Sequence, residues 1–196
     1  MTHVAYADVE AGDSDQDRVR IYDGPDGALI LALADGAGGT GGGAEAADAI
    51  VAAARGGGDF AQLLAALDRD GARLGFGQAT AVLALLTADR IVGASVGDSG
   101  AWLVTASDRI DLTAHQQRKP LVGDGCTPVA FSAAVPPGAT ILIASDGLLR
   151  YAPATAIAAA VRAPDLRGVP ATLIDLVRLR NGRLQDDVSL IVARAH

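Results

Sequence analysis

Four aspartates stand at the ends of apolar stretches spread along this 196-residue chain. Asp35, Asp98 and Asp146 each follow a run typical of a buried strand, and Asp186 precedes one. A carboxylate at the mouth of a buried strand is costly unless its charge is compensated. One divalent cation with oxygen ligands can compensate several carboxylates at once. The pattern therefore predicts a shared Mg²⁺ or Mn²⁺ site.

Such a site indicates phosphate chemistry. Two Mg²⁺ or Mn²⁺ ions a few ångströms apart can hold a hydroxide in line with a phosphorus and stabilise the developing charge. Phosphate esters are then hydrolysed without a protein nucleophile. The simpler alternative is that Asp35-Gly36 and Asp146-Gly147 only form turns, which Asp-Gly pairs favour. Turn formation alone does not account for four aspartates at strand ends.

Composition narrows the classes of protein. Half of the residues are hydrophobic and 4% are aromatic, so the core is mostly aliphatic. The net charge of −7 argues against nucleic acid or an anionic membrane as a partner, because both need clustered Lys and Arg. We find no signal-peptide pattern, no run of the ~18 apolar residues that a membrane helix needs, and a single cysteine, Cys126. We therefore expect one cytoplasmic domain over residues 1–196.

Hydrophobic periodicity predicts an α+β fold. Strands are expected at 3–11, 18–22, 28–34, 80–88, 90–97, 101–106, 140–145 and 188–195. Helices are expected at 44–55, 60–74, 154–162 and 169–180. The strands are expected to form hairpins, including one across the turn at 98–100, so we predict two antiparallel sheets covered by helix pairs. The irregular segment 113–137 is the expected functional loop region.

Two short motifs suggest other chemistry. Residues 36–41 match the G-x-G-x-x-G dinucleotide fingerprint, but Asp35 would repel a pyrophosphate and a helix at 60–74 replaces the expected second strand. Residues 93–97 match G-x-S-x-G, but a nucleophile elbow needs a strand, a turn and a helix. Here another strand follows, and Ser95 is expected to face a sheet.

Six short segments follow one another in an order and spacing that are specific as a set. They are SDQDRV (14–19), ADGAGG (34–39), GQATAVLALL (77–86), VGDSGAW (96–102), ASDGLLRY (144–151) and DDVSLIVA (186–193). Together they resemble the motifs of the metal-dependent PP2C-type (PPM) Ser/Thr protein phosphatases, in their short bacterial form. The resemblance covers nearly the whole chain and implies a two-sheet antiparallel sandwich flanked by helix pairs.

The resemblance also implies a set of ligands for two Mn²⁺ or Mg²⁺ ions. Asp35, Asp146 and Asp186 would be direct ligands and the catalytic carboxylates. Gly36 would supply a backbone carbonyl, and Asp17 would bind a metal or a metal-bound water. Asp98 and Asp187 would support these ligands from behind.

The chain departs from the family pattern in its substrate-binding parts. An Arg that often precedes the first motif is missing from residues 8–12, so the candidates for binding phosphate are Arg18, Arg118 and Lys119. His115 stands in or next to the place of an Asp that helps to bind a third metal, and the flap that follows is cut down to residues 116–132, where Asp124 could approach the metals. A short flap implies a shallow, open site that suits a phosphorylated protein.

The sequence thus predicts a phosphatase that hydrolyses phosphoserine and phosphothreonine in proteins by means of a metal-bridging hydroxide. Its size is reminiscent of stand-alone phosphatases that reset phosphoserine switches on anti-sigma-antagonist proteins. Two alternatives remain open. One is a pseudophosphatase, in which the same fold serves as a binding or regulatory module, and the other is a phosphatase for small phosphoesters or nucleotides.

Overall fold

A computed structural model describes residues 3–12, 14–37, 41–74 and 77–195. The middle of the glycine-rich segment 36–41 lies outside these residues. The described strands are β1 (His3–Glu10), β2 (Asp17–Asp23), β3 (Leu29–Asp35), β4 (Ala81–Leu86), β5 (Arg90–Val96), β6 (Gly100–Val104), β7 (Arg109–Asp111), β8 (Val129–Ala134), β9 (Thr140–Ala144) and β10 (Val188–Ala195). The α-helices are α1 (Gly43–Ala53), α2 (Phe60–Leu74), α3 (Asp146–Leu149), α4 (Ala154–Val161) and α5 (Val169–Asp175). Short 3₁₀ turns lie at Pro25–Gly27 and Ala54–Gly56.

The strands form two antiparallel sheets of five strands each. One sheet has the order β1-β10-β9-β6-β7, and the other has the order β2-β3-β4-β5-β8. The predicted fold class, two antiparallel sheets flanked by helix pairs, is confirmed. None of the described helices is long and apolar enough to span a membrane.

Three apolar layers hold the sandwich together, and β3 shows how the sequence encodes them. Leu31 and Leu33 point between the two sheets, whereas Ile30 and Ala32 lie under α1 and α2. Because successive side chains point to opposite faces, a strand buried on both sides needs an uninterrupted apolar run. The run at 28–34 meets this requirement. The third layer packs α4 and α5 onto the outer face of the other sheet.

The predicted pairing of neighbouring strands was wrong at two places. β1 pairs with β10 and β2 pairs with β3, so the chain changes sheets between Glu10 and Asp17. The turn at 97–99 also crosses, because β5 pairs with β4 and β8, whereas β6 pairs with β7 and β9. An apolar pattern predicts a strand but not its partner, since pairing depends on contacts distant in sequence. Both crossings lie at the same edge of the sandwich.

Some element bounds also differ from the predictions. The segment 113–137 is not wholly irregular, because β8 runs along the edge of its sheet over Val129–Ala134. The short strand β7 and the one-turn helix α3 were not predicted. The last helix ends at Asp175 and not at residue 180.

Candidate functional site

The ends of several strands bring the predicted aspartates to one edge of the sandwich. In one sheet, Asp17 begins β2 and Asp35 ends β3, and the two residues are direct partners in the β2–β3 register. In the other sheet, β9 leads into Asp146, and Asp186 lies just before β10, its antiparallel neighbour. The strand pairing in the two sheets therefore brings together carboxylates from four segments that are distant in sequence.

Asp17 lies deepest in this group. It is 2% exposed, and its Oδ2 atom has no hydrogen-bond partner among the described residues. Burial raises the pKa of Asp17 to about 6, and the charge of Asp187 adds to the shift, whereas the nearby hydroxyl groups of Ser189 and Ser145 limit it. An unpartnered carboxylate oxygen at this depth requires a compensating cation or proton.

Asp35 is surrounded by acidic neighbours. The pKa of Asp35 is raised to about 9. Burial is the largest cause, and the charges of Asp17, Asp146 and Asp186 contribute to the same shift. The other three carboxylates therefore lie within electrostatic reach of Asp35. Like charges at such distances disfavour ionisation unless an opposite charge joins them.

Asp146 begins α3 and stands between acidic and basic groups. Burial is the largest cause of the raised pKa of Asp146, and the charges of Asp98 and Asp186 act in the same direction. Arg150 and Arg118 oppose this shift. Asp98 is itself paired, because Nε and Nη2 of Arg118 donate to its Oδ2 at 3.1 and 2.7 Å.

Asp187 fastens the crossing between β1 and β2 to the start of β10. Its two carboxylate oxygens accept hydrogen bonds from the backbone amides of Gly12 and Gln16, both at 2.7 Å. Its own amide donates to Oδ1 of Asp186 at 3.0 Å. Asp187 is 5% exposed, and its amide contact joins it to Asp186.

Two serines, which the sequence reading did not select, join the sheet that carries Asp146. The amide of Ser145 donates to the carbonyl of Ser189 at 3.0 Å, and the amide of Ser189 donates to Oγ of Ser145 at 3.0 Å. Both side chains are fully buried and lie near Asp17. The serine in the ASDG segment was the only available sign of this contact.

Gly36 occupies a place where a side chain does not fit. A Cβ atom there would lie 2.5 Å from the carbonyl carbon and oxygen of Gly43 and 3.0 Å from Cβ of Gln16. The Gly36 amide donates to the carbonyl of Gln16 at 3.3 Å. The backbone after Asp35 thus passes closely between the entry to β2 and the start of α1.

These residues fit a hard divalent cation. The donors are carboxylate and carbonyl oxygens, and one buried carboxylate oxygen has no partner. Within the described residues, no group of three His, Cys, Asp or Glu side chains is arranged to enclose an ion on its own. Mg²⁺ requires no such group, because it keeps several waters and uses one or two carboxylates at a site.

The structure separates the three candidate phosphate-binding cations. Arg18 turns towards α1, where Nε donates to Asp48 at 3.0 Å and Nη1 donates to the carbonyls of Asp15 and Asp17. Arg118 and Lys119 lie exposed on the loop between β7 and β8. Arg150 was missed, because its closeness to Asp146 depends on α3, which the sequence reading did not predict.

Two other sequence features lie apart from chemistry. Ser95 sits inside β5 and is 1% exposed, so it faces a sheet as expected and does not form a nucleophile elbow. His115 and Asp124 are exposed, and the amide of Asp124 donates to the carbonyl of Leu121 at 3.0 Å.

The family model described as Stage II sporulation protein E (SpoIIE) matches residues 25–196. The chain belongs to the SpoIIE family. In this SpoIIE-family chain the matched range includes every proposed metal ligand except Asp17. No curated protein sequence matches the chain significantly.

Solved structures with the same fold include bacterial phosphatases. The serine/threonine phosphatase of S. agalactiae has a TM-score of 0.83 and 19% identity, with 99% of this chain and 100% of that chain covered. The Mycobacterium tuberculosis phosphatase PstP/Ppp has a TM-score of 0.81 and 22% identity, and both chains are covered completely. A catalytic domain of PstP in complex with two manganese ions has a TM-score of 0.78 and 21% identity, with coverages of 98% and 97%. These likenesses confirm the PP2C-type fold that the motifs of this SpoIIE-family chain predict.

Proposed function

We propose that this chain is a metal-dependent phosphoprotein phosphatase that hydrolyses phosphoserine and phosphothreonine. The observation that carries the proposal is the cluster of Asp17, Asp35, Asp146 and Asp186, in which one buried carboxylate oxygen has no partner. Its place in a fold shared with serine/threonine phosphatases supports the same conclusion.

Two Mn²⁺ or Mg²⁺ ions are the proposed cofactors. Asp17, Asp35, Asp146 and Asp186 would hold them, together with the backbone carbonyl of Gly36. The two manganese ions of the PstP domain support this number and this metal. When bound, such ions activate water and neutralise charge that develops on a phosphoryl group.

The chain's own residues prepare the site for this cofactor. Asp35 must lose its proton on cation binding, because burial and its acidic neighbours keep its pKa near 9. Asp187 holds Asp186 through backbone contacts, so that this ligand is positioned before an ion arrives. Ser145 and Ser189 are fully buried, so neither is placed as a nucleophile, and the Ser145 hydroxyl oxygen accepts the amide of Ser189.

A phosphorylated protein is the proposed substrate. The segment between β7 and β8 is short, and Arg118 and Lys119 on it are exposed to an approaching surface. An open site of this kind accepts a phosphorylated loop better than a small molecule that requires enclosure. A cytoplasmic location remains a prediction, supported by the single cysteine.

The test is hydrolysis of p-nitrophenyl phosphate and of a phosphothreonine peptide, with Mn²⁺ and with EDTA. We expect Mn²⁺-dependent turnover that Asp146→Asn abolishes without unfolding the protein. Asp70→Asn, on the exposed face of α2, is the matched control and should keep full activity. If the folded wild type binds Mn²⁺ but turns over neither substrate, the chain is a binding module and the proposal fails. Turnover of p-nitrophenyl phosphate and nucleotides but of no phosphopeptide would point to small phosphoesters.

A further inference from the structure

Arg118 is an exposed cation at the rim of the aspartate cluster. Its side chain is 74% exposed, whereas Asp98, its partner, is 26% exposed. Both bonds from Arg118 go to one oxygen of Asp98, through Nε and Nη2. Among the described contacts, Nη1 of Arg118 makes no hydrogen bond. The guanidinium can therefore bind a further anion without unfolding any part of the chain.

The loop that carries Arg118 is fixed on both sides. Before it, Nε2 of Gln116 donates to the carbonyl of Ser99 at 2.6 Å, and the amide of Gly97 donates to the carbonyl of Gln117 at 3.2 Å. After it, Val122 and Ala79 exchange two backbone hydrogen bonds of 3.1 and 3.2 Å. Arg118 thus leaves the backbone between two anchored points, which reduces the entropy lost when it binds a ligand.

Arg118 also lies at the edge of the sandwich that carries the aspartates. Its partner Asp98 follows the end of β5 that pairs with the start of β4, and the amide of Thr80, just before β4, donates to the carbonyl of Asp35 at 2.8 Å. Arg118 and Asp98 are both near enough to Asp146 for their charges to act on that carboxyl, in opposite directions. The other cation beside Asp146 is Arg150, whose guanidinium lies over the ring of Tyr151 with its Cζ atom 5.5 Å from the ring centre. Arg18 is occupied by Asp48 and by backbone carbonyls. Among the described residues near this cluster, Arg118 is thus an exposed cation held by only one carboxylate oxygen, with Nη1 left for an anion.

We propose that Arg118 binds the phosphoryl group of the substrate, and that Asp98 holds the guanidinium at the rim until the substrate arrives. This inference rests on the proposed function and names the residue that takes over from the Arg missing at residues 8–12. A guanidinium binds the oxygens of a phosphate through two parallel hydrogen bonds, which a single carboxylate oxygen cannot match. An exposed ion pair such as Arg118–Asp98 is weak, so the exchange of partners is easy.

The experiment compares Arg118→Gln, Arg118→Lys and Arg90→Gln with the wild type, all with Mn²⁺. Arg90 is an exposed residue at the start of β5, at the end of that strand remote from Asp98, so its substitution makes the same change of charge away from the aspartate cluster. We expect Arg118→Gln to raise KM for a phosphothreonine peptide by about tenfold to a hundredfold, with a smaller change in kcat. Inhibition by inorganic phosphate should weaken by a similar factor. Arg118→Lys should recover part of both effects, because Lys keeps the charge but loses the paired geometry. Arg90→Gln should change neither.

Calorimetric titration with inorganic phosphate separates this inference from the proposed function. If the wild type shows no turnover but binds phosphate, and Arg118→Gln does not, Arg118 is a phosphate-binding residue and only the catalytic proposal fails. Unchanged KM and unchanged phosphate affinity in folded Arg118→Gln overturn the inference and leave the catalytic proposal standing. A wild type that neither turns over substrate nor binds phosphate overturns both. Circular dichroism and melting curves check that every variant is folded.

Discussion

Asp17 and Asp35 lie directly opposite each other, as register partners at the open end of β2 and β3. Burial raises the pKa of both residues, and the charge of Asp17 adds to the shift of Asp35. Two adjacent strands thus present carboxylates to each other at a place where water is scarce. Such an arrangement is unfavourable in the metal-free protein and becomes favourable when a cation joins the pair.

Replacing Asp17 with Asn should therefore stabilise the metal-free protein against unfolding and destabilise the metal-bound protein. We expect the free energy of unfolding in EDTA to increase by about 1–3 kcal/mol, because one buried charge is removed at constant shape. With Mn²⁺ the order should reverse, since a ligand is lost. Urea unfolding in the two buffers measures both effects, and Asp70→Asn should behave as the wild type in each. A destabilising Asp17→Asn in EDTA contradicts the account.

The stability of the metal-free protein should fall as pH rises. The folded protein keeps the Asp35 proton up to a pKa of about 9, whereas the ordinary pKa of this carboxyl is 3.8. Between these two values the native state binds more protons than the unfolded state, so the free energy of unfolding decreases with pH. The contribution is fully present below pH 3.8 and is lost as pH rises through 9. Urea midpoints in EDTA at pH 5, 7 and 9 test this direction, and Asp35→Asn should flatten the trend. For Mn²⁺ affinity we expect the opposite slope, because the ion competes with protons.

Removal of the Asp68 carboxylate should loosen the loop next to the site. Oδ1 of Asp68 accepts the amides of Gly123, Gly125 and Cys126 at 2.8, 3.0 and 3.2 Å. Asp68→Ala leaves three amides without an acceptor, and we expect a loss of about 2–4 kcal/mol in the free energy of unfolding. Asp68→Asn keeps the accepting oxygen and should lose much less.

Hydrogen exchange of residues 121–126 localises the Asp68 effect. In Asp68→Ala these amides should exchange faster than in Asp68→Asn, while β10 is less affected. Equal protection of the loop in the two variants would show that the carboxylate does not hold it.

Asp187→Ala should lower Mn²⁺ affinity although Asp187 is not a proposed ligand. The substitution removes the acceptor for the amides of Gly12 and Gln16 and so frees the segment that leads to Asp17. Supporting residues of this kind commonly contribute about tenfold to a hundredfold in metal affinity. Titration calorimetry with Mn²⁺ measures the loss. Asp187→Asn, which keeps one acceptor oxygen, should fall between Asp187→Ala and the wild type, and a full loss in Asp187→Asn would mark Asp187 as a ligand itself.

Local patterns predicted some elements correctly. Helix α2 begins at Phe60 and ends at Leu74 as expected, because its apolar residues recur with helical spacing after a capping aspartate. The amides of Ala61 and Gln62 donate to Oδ1 of that aspartate, Asp59, at 3.0 Å. β10 was also predicted with its observed bounds, since its apolar run is uninterrupted and buried.

Other features depend on contacts that no local pattern encodes. β8 alternates between partly buried and exposed residues at a sheet edge, and its alanines and serine are weak strand formers. The aspartates were found because their positions at strand ends are visible in the sequence. Ser189 and Arg150 were not found. Ser189 approaches the cluster through its contact with Ser145 in another segment, and Arg150 approaches it through the one-turn helix α3.

The chain changes sheets twice, between β1 and β2 and between β5 and β6, and this has a consequence for the dynamics of the fold. Both connections lie at the edge that carries the aspartates, so the aspartate site is also the place where the chain links the two sheets. Separation of the two sheets would first disrupt this edge, and an ion bound there would oppose the separation. The resistance of the whole chain to proteases should therefore depend on whether the aspartate site holds an ion.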